Sequence, residues 1–250
     1  MKNKKKRVRE ITDYIKFVFP MLVLYILFFI FPLFQTIGYS FTDYNGINPR
    51  KEFTGLTNYV DVFQDKWFYN SMLFTGKSVI LMILLANVLG FLLALALNTK
   101  IKSRNILRAI VFCPFVFNNV TVGFIWQFLL GRFMTDLYPL TGWKVFNIGW
   151  LSDSSLVLYS VVFVKLWQSI GYFMVIYLAG LQLLPQDPLE AAVLDGCTGI
   201  KMIRYITIPL MKPTAFVCIF LAITESLNMF PLIMSLTNGG PGHASENISL

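Results

Sequence analysis

Three stretches of this chain run for about twenty residues without a charge, the length a helix needs to cross a ~30 Å hydrocarbon core: residues 17–34, 78–97 and 109–130. Two further apolar runs carry one charge each: 156–184, which holds Lys165, and 214–236, which holds Glu225. In lipid every backbone N–H and C=O must be satisfied within the segment, and these runs lack the in-and-out alternation of barrel strands, so they are helices. The expected fold is an all-α, polytopic helical membrane protein with five spans. Only 14% of the residues are charged, against about 25% in soluble domains, which excludes an ordinary soluble protein.

Charge placement gives the orientation, because short cytoplasmic loops carry an excess of Lys and Arg. Seven cations precede the first span, four lie between Lys100 and Arg108, and three lie between Lys201 and Lys212. These fourteen share one side, whereas the other side carries six cations among seven carboxylates. The N-terminus is therefore expected in the cytoplasm, with residues 1–16 a basic cytoplasmic tail and 17–250 the transmembrane region. The first run is long and lacks a small-residue cleavage site, so it reads as a retained helix, not a signal peptide. Five spans leave residues 236–250 outside without an apolar partner, and a sixth, C-terminal span is expected to be missing from the sequence. The basic start sets topology and also offers a contact for membrane lipid.

The formal charge of +8 does not point to nucleic acid, since the cations are scattered in short blocks between spans where a nucleic-acid binder gathers them in one patch. Three cysteines without a CxxC pair, and a lone histidine, His243, offer no metal site and imply no cofactor.

The most informative stretch is the polar connection between the fourth and fifth spans, residues 183–213. Asp187 is expected to cap a short helix, with Pro188 at its first helical position and Glu190 three residues after the cap. Gly196 would end that helix in a left-handed conformation. Thr198 would cap a second segment with Ile200, Ile203 and Ile206 at helical spacing, interrupted by Pro209 and Pro213. Pattern alone leaves open an ordinary well-capped connection or a docking element for another protein.

Glu190-Ala191-Ala192, then Gly196, then Ile206 and Pro209-Leu210 resemble the EAA loop of inner-membrane permease subunits of binding-protein-dependent ABC importers. Residues 55–72, 147–155, 166–185 and the run Thr237 to Gly242 resemble further segments of the carbohydrate-importing members. Cys197 departs from the small residue common in the family, and Ile208 from the leucine that often precedes the proline. The resemblance implies a pathway subunit of an ATP-driven importer of sugars or oligosaccharides. It also implies cytoplasmic ATPase subunits docked on loop 185–213, a second homologous permease, and an extracellular solute-binding protein. Coupling would rest on Glu190, Ala191, Ala192, Asp195, Gly196 and Pro209.

The chain has no phosphate loop of its own: the run from Gly196 to Lys201 has the wrong spacing and lacks a following Ser or Thr. It is expected to be a transport subunit, not an enzyme, in the cell membrane.

Polar residues inside spans are costly and usually face a bundle interior or cavity. The candidates for the solute path are Asn118, Asn119, Gln168, Glu225 and Asn228, with Thr121, Lys165, Ser169 and Thr224 nearby in sequence and Trp126 or Trp167 as stacking faces. Each could equally serve helix packing, and Lys165 and Glu225 could neutralise one another. A self-sufficient ion-coupled secondary transporter, with those two residues as coupling charges, is the competing reading; it predicts an internal repeat, and none is evident.

Overall fold

The computed structural model describes residues 2–47, 51–99 and 102–250, with side chains from Tyr14 onward. Arg50 and Lys100, and the side chains of the cations before Tyr14, lie outside the described residues. The chain divides between Asp65 and Lys66 into two units.

In the first unit, α1 (Lys2–Tyr25) continues through a π-helical turn, Ile26–Ile30, into α2 (Phe31–Tyr39). Residues Tyr14–Tyr39 form one apolar segment long enough to span a membrane. The wide turn has a local cause. Pro32 lacks an N–H and its ring crowds the carbonyl four residues back; bonding Phe31 N–H to Ile26 O, five residues back, lets the helix continue past it. Beyond α2, Thr42 and Phe53 pair in an isolated antiparallel bridge. Asn58 Nδ2 ties this turn to α3 (Thr57–Gln64) by donating to the carbonyls of Ser40 and Thr42 at 3.0 and 2.8 Å.

The second unit opens with α4 (Lys66–Leu97), followed by α5 (Arg104–Phe112), a 3₁₀ turn at Cys113–Val116, α6 (Asn119–Gln127), a π-helical turn at Phe128–Phe133, and α7 (Met134–Thr141). Next come α8 (Val157–Gln182), α9 (Gln186–Leu194), α10 (Ile200–Met202), α11 (Ile208–Leu210), α12 (Lys212–Leu227) and α13 (Phe230–Leu236). α4 and α8 pack along their lengths, α12 lies against α4, and α13 against α6. Small residues allow these close approaches. A Cβ on Gly90 would lie 2.9 Å from Phe173 Cβ, and one on Gly171 would lie 2.2 Å from the Val111 carbonyl oxygen of α5.

Buried Ser78 and Ser169 donate to carbonyls four residues back in their own helices, so their hydroxyls carry little unsatisfied polarity into the core. Between helices, Tyr177 Oη donates to Asn87 Oδ1 at 2.6 Å. Outside the membrane-spanning segments, Asp153 accepts from the Ser155 hydroxyl and N–H at 2.7 and 2.8 Å, which holds its carboxyl below the usual carboxylate range.

Among the described residues the fold is helical apart from the one bridge. Three helices are straight and long enough to span; two further pairs reach that length only as bent units, Arg104–Val116 with Asn119–Thr141 at 94° and Ile200–Leu210 with Lys212–Leu227 at 70°. The count reaches five only if each bent pair is one span, and the second pair does not coincide with the expected fifth span: it takes in residues 200–210 of the expected loop and ends at Leu227. The third is not the straight run expected over 109–130. After the turn containing Pro114, Phe117 and Asn118 adopt extended conformations, and Asn118 Oδ1 accepts from Val120 N–H at 2.9 Å to start α6 afresh. The fifth, expected over 214–236, is interrupted at Asn228–Met229 and restarts at Phe230, with Pro231 in the first turn of α13.

Candidate functional site

The break between α5 and α6 leaves the Phe117 carbonyl without a helical donor, and α8 supplies one. Lys165, Gln168, Ser169 and Tyr172 recur on one face of α8 at spacings of three and four. Gln168 Nε2 donates to Phe117 O at 2.9 Å, and the Tyr172 ring stacks on Phe115 with centroids 4.5 Å apart. Because Phe117 O can only accept, the amide orientation is set, and Gln168 Oε1 is left buried without a hydrogen-bond partner.

One turn earlier on α8, Lys165 Nζ lies 2.6 Å from Glu225 Oε2 of α12 and donates a longer bond, 3.5 Å, to Asn119 Oδ1. Lys165 is 3% exposed and Glu225 29%. A charge this buried requires a partner, and the pair ties α8 to α12. Phe115, Phe117, Asn118, Asn119, Lys165, Gln168, Glu225 and Pro231 together line a cleft of about 370 Å³. It is large enough for a sugar-sized molecule. Its geometry is a helix break whose Phe117 carbonyl is met by a buried side-chain amide from α8.

Four of the five expected path residues, Asn118, Asn119, Gln168 and Glu225, meet in this cleft. Asn228 does not line it: it stands at the C-terminal cap of α12 and donates to its own helix at Thr224 O, 3.0 Å away. Trp126 and Trp167 stack edge-to-face on each other, 5.3 Å between centroids, and Trp126 lines a separate aromatic cavity with Trp150 and Phe163. Thr224 and Ser169 bond within their own helices. Phe115, Phe117 and Pro231 were missed; the nearness of the two phenylalanines to Pro114 could have marked them, and no sequence signal marked Pro231.

The connection after α8 forms the second candidate site. α9 begins at Gln186, capped by the extended backbone of Pro185, and Asp187 makes no side-chain cap. The expected start is therefore two residues late. Pro188 falls at the third helical position, which is tolerated because no first-turn N–H has an intrahelical partner.

The stop is as expected: Gly196 has φ +75°, with Gly196 N–H on Val193 O at 3.0 Å and Cys197 N–H on Ala192 O at 2.8 Å. The second start is also corrected. Gly199, with φ +59°, precedes α10, and Thr198 does not cap it. A π-helical turn over Ile203–Thr207 then bonds Ile208 N–H to Ile203 O, the same accommodation of a following proline, Pro209, that Pro32 receives in the first unit.

Ala192 is buried, while Glu190, Ala191, Asp195, Gly196 and Pro209 are exposed. Gln186, Leu189, Glu190, Val193, Leu194 and Met202 line a groove of about 480 Å³.

Residues 86–245, which include the cleft and this loop, match the family of binding-protein-dependent transport system inner membrane components. The chain belongs to this family. It is 35% identical over 252 residues to a probable starch degradation products transport system permease protein of Thermoanaerobacterium thermosulfurigenes, covering 100% of this chain and 85% of the relative. It is 32% identical over 238 residues to the trehalose/maltose transport system permease protein of Thermococcus litoralis, covering 93% and 79%. The fold also matches a chain of the bacterial alginate ABC transporter crystallised with its alginate-pentasaccharide-bound periplasmic protein, with TM-score 0.78 at 22% identity over 96% of this chain and 81% of that one. As an inner membrane component of such a system, this permease is a multi-pass membrane protein and a transport part, not an enzyme.

Proposed function

We propose that this permease is the membrane-pathway subunit of an ATP-driven importer of sugars or oligosaccharides, with its N-terminus and loop 185–213 in the cytoplasm. Residues 1–16 form the basic cytoplasmic tail, and 17–250 the transmembrane permease region. A separate ATPase docks on the loop, a second homologous permease completes the pathway, and an extracellular binding protein delivers the solute. Relatives whose names specify starch degradation products and trehalose/maltose support the solute class, and family membership favours this reading over an ion-coupled secondary transporter.

One observation carries the coupling role. α9 presents an exposed Glu190 on an apolar groove, has small Ala191 and Ala192 for close approach, and ends at a left-handed Gly196 that fixes its direction. Among the described residues Glu190 has no ion pair, which leaves its carboxylate for a basic residue of a partner. Asp195 and Gly196 shape the exit from α9, and Pro209 marks where the loop hands motion to α12. Closure of the ATPase dimer would then pull on the helix as a rigid lever.

The test is affinity purification of the tagged protein from native membranes in mild detergent, wild type beside Glu190→Lys. An ATPase and a second permease should accompany the wild type, and the ATPase should be lost from the variant while the chain stays monodisperse. Recovery of this chain alone from wild-type membranes would overturn the reading.

A further inference from the structure

We propose that Glu225 sets the charge selectivity of the cleft: paired with Lys165, it cancels the one cation among the described lining residues, so that uncharged polyhydroxyl solutes pass in preference to carboxylated or phosphorylated ones. The inference rests on the transport reading above and adds to it what kind of solute the cleft admits.

Three observations converge. The lining holds one ammonium and one carboxylate, 2.6 Å apart, so their fields largely cancel beyond the cleft walls. The two charges are also unequally placed. Lys165 is 3% exposed and Glu225 29%, so an approaching anion meets the carboxylate before the ammonium it would need. Finally, among the described lining residues the buried polar atom left without a hydrogen-bond partner is an acceptor, Gln168 Oε1, and the part-exposed Glu225 carboxylate can only accept. A sugar hydroxyl donates to such groups, whereas a carboxylate or phosphate oxygen brings another acceptor. The fold does not impose this preference, since a 21%-identical structure of the same fold (TM-score 0.78) belongs to a transporter involved in the import of the acidic polysaccharide alginate. Within this chain, charge preference is then a matter of side chains, and this pair holds the two charges of the described lining.

The test needs no knowledge of the natural solute. Phe117 is exposed and lines the cleft, so Phe117→Cys places a reactive thiol there. Methanethiosulfonates carrying an anionic sulfonatoethyl, a cationic trimethylammonioethyl or a neutral methyl group are reacted with the purified assembly. Site-resolved mass spectrometry reads this position apart from the native Cys113, Cys197 and Cys218. With rates normalised to a free thiol, the anionic reagent should react more slowly than the neutral one in the otherwise wild-type cleft, and the anionic-to-cationic ratio should lie somewhat below one.

Glu225→Gln should raise that ratio roughly tenfold, as expected for one uncompensated charge in a cleft. Lys165→Met should lower it by a similar factor, and Lys165→Met with Glu225→Gln should restore it. Because the two single variants shift the ratio in opposite directions, either one keeps the test decisive if the other assembles poorly. An unchanged ratio in Glu225→Gln, or no modification by any reagent with and without ATP, overturns the proposal. Loss of ATP-driven sugar uptake as a property of the wild type, with the ratio shifts intact, would instead sink the transport reading alone.

Discussion

The cleft and the loop are built by opposite means. The loop is assembled from neighbours in sequence: α9 is stopped by bonds among Ala192, Val193, Gly196 and Cys197, and most of its functional surface is exposed. The cleft is assembled from three segments distant in sequence, α8, the α5–α6 break and α12, and each of its key bonds crosses more than forty residues. A change in the loop should therefore impair what the loop touches while leaving the bundle standing, whereas a change in the cleft should impair the bundle itself.

The sharpest way to break this comparison is Lys165→Met. Removing the ammonium leaves Glu225 in a low-dielectric cleft without its partner. Losing one half of a buried pair costs about 3 kcal/mol or more; the partial exposure of Glu225 places the expectation at the lower end. Lys165→Met with Glu225→Gln should recover most of that loss, because two neutral side chains need no pairing. Thermal unfolding of the detergent-solubilised assembly measures it, and equal melting of the single and double variants would show that the pair does not hold α8 to α12. Glu190→Lys in the loop should leave the same melting curve in place.

Two glycines extend the contrast, because each is required for a different reason. At Gly171 a Cβ would sit 2.2 Å from Val111 O and 2.6 Å from Phe112 Cα; the obstacle is backbone and cannot rotate away. Gly171→Ala should cost about 2–3 kcal/mol as an overpacked contact, and should disturb the adjacent Gln168 to Phe117 bond. Around Gly196 a Cβ meets nothing within 4 Å, but φ is +75°. Gly196→Ala should cost about 1–2 kcal/mol of local strain, read as fraying of α9 by hydrogen exchange while the melting of the bundle is preserved. Global unfolding of Gly196→Ala would show that the loop is not separable from the spans.

Locality also explains what could be read from the sequence. The apolar runs were legible as helices because length alone demands helices in lipid, but the breaks that interrupt the third and fifth at Phe117–Asn118 and Asn228–Met229 were not. The loop was legible because Gly196 and the small pair Ala191-Ala192 act through near neighbours. Even there, helix starts were misplaced at Asp187 and Thr198, since several first-turn positions tolerate proline and an extended Pro185 or a Gly199 at positive φ can open a helix without a side-chain cap. In the cleft, composition picked out Asn118, Asn119, Gln168 and Glu225, because buried polar atoms must meet one another. Which polar atoms meet depends on the 94° bend at Phe117–Asn118. No period in the sequence encodes that bend, so Phe115 and Phe117 were missed, and Asn228, three residues past Glu225, was included although it caps its own helix.

The smallest effect sharpens the account of how α9 begins. A true N-cap carboxylate lost to alanine costs about 1 kcal/mol. Asp187 is instead exposed in the first turn, without a side-chain cap bond, and interacts only with the positive end of the helix. Asp187→Ala should therefore cost about 0.3–0.5 kcal/mol at low ionic strength, a difference that salt should erase because the charge is exposed. Hydrogen exchange of the α9 amides at two salt concentrations measures it. A salt-independent loss near 1 kcal/mol would mean that Asp187 caps the helix in solution, with Gln186 and Asp187 outside it, and that the helix is two residues shorter than α9 as observed.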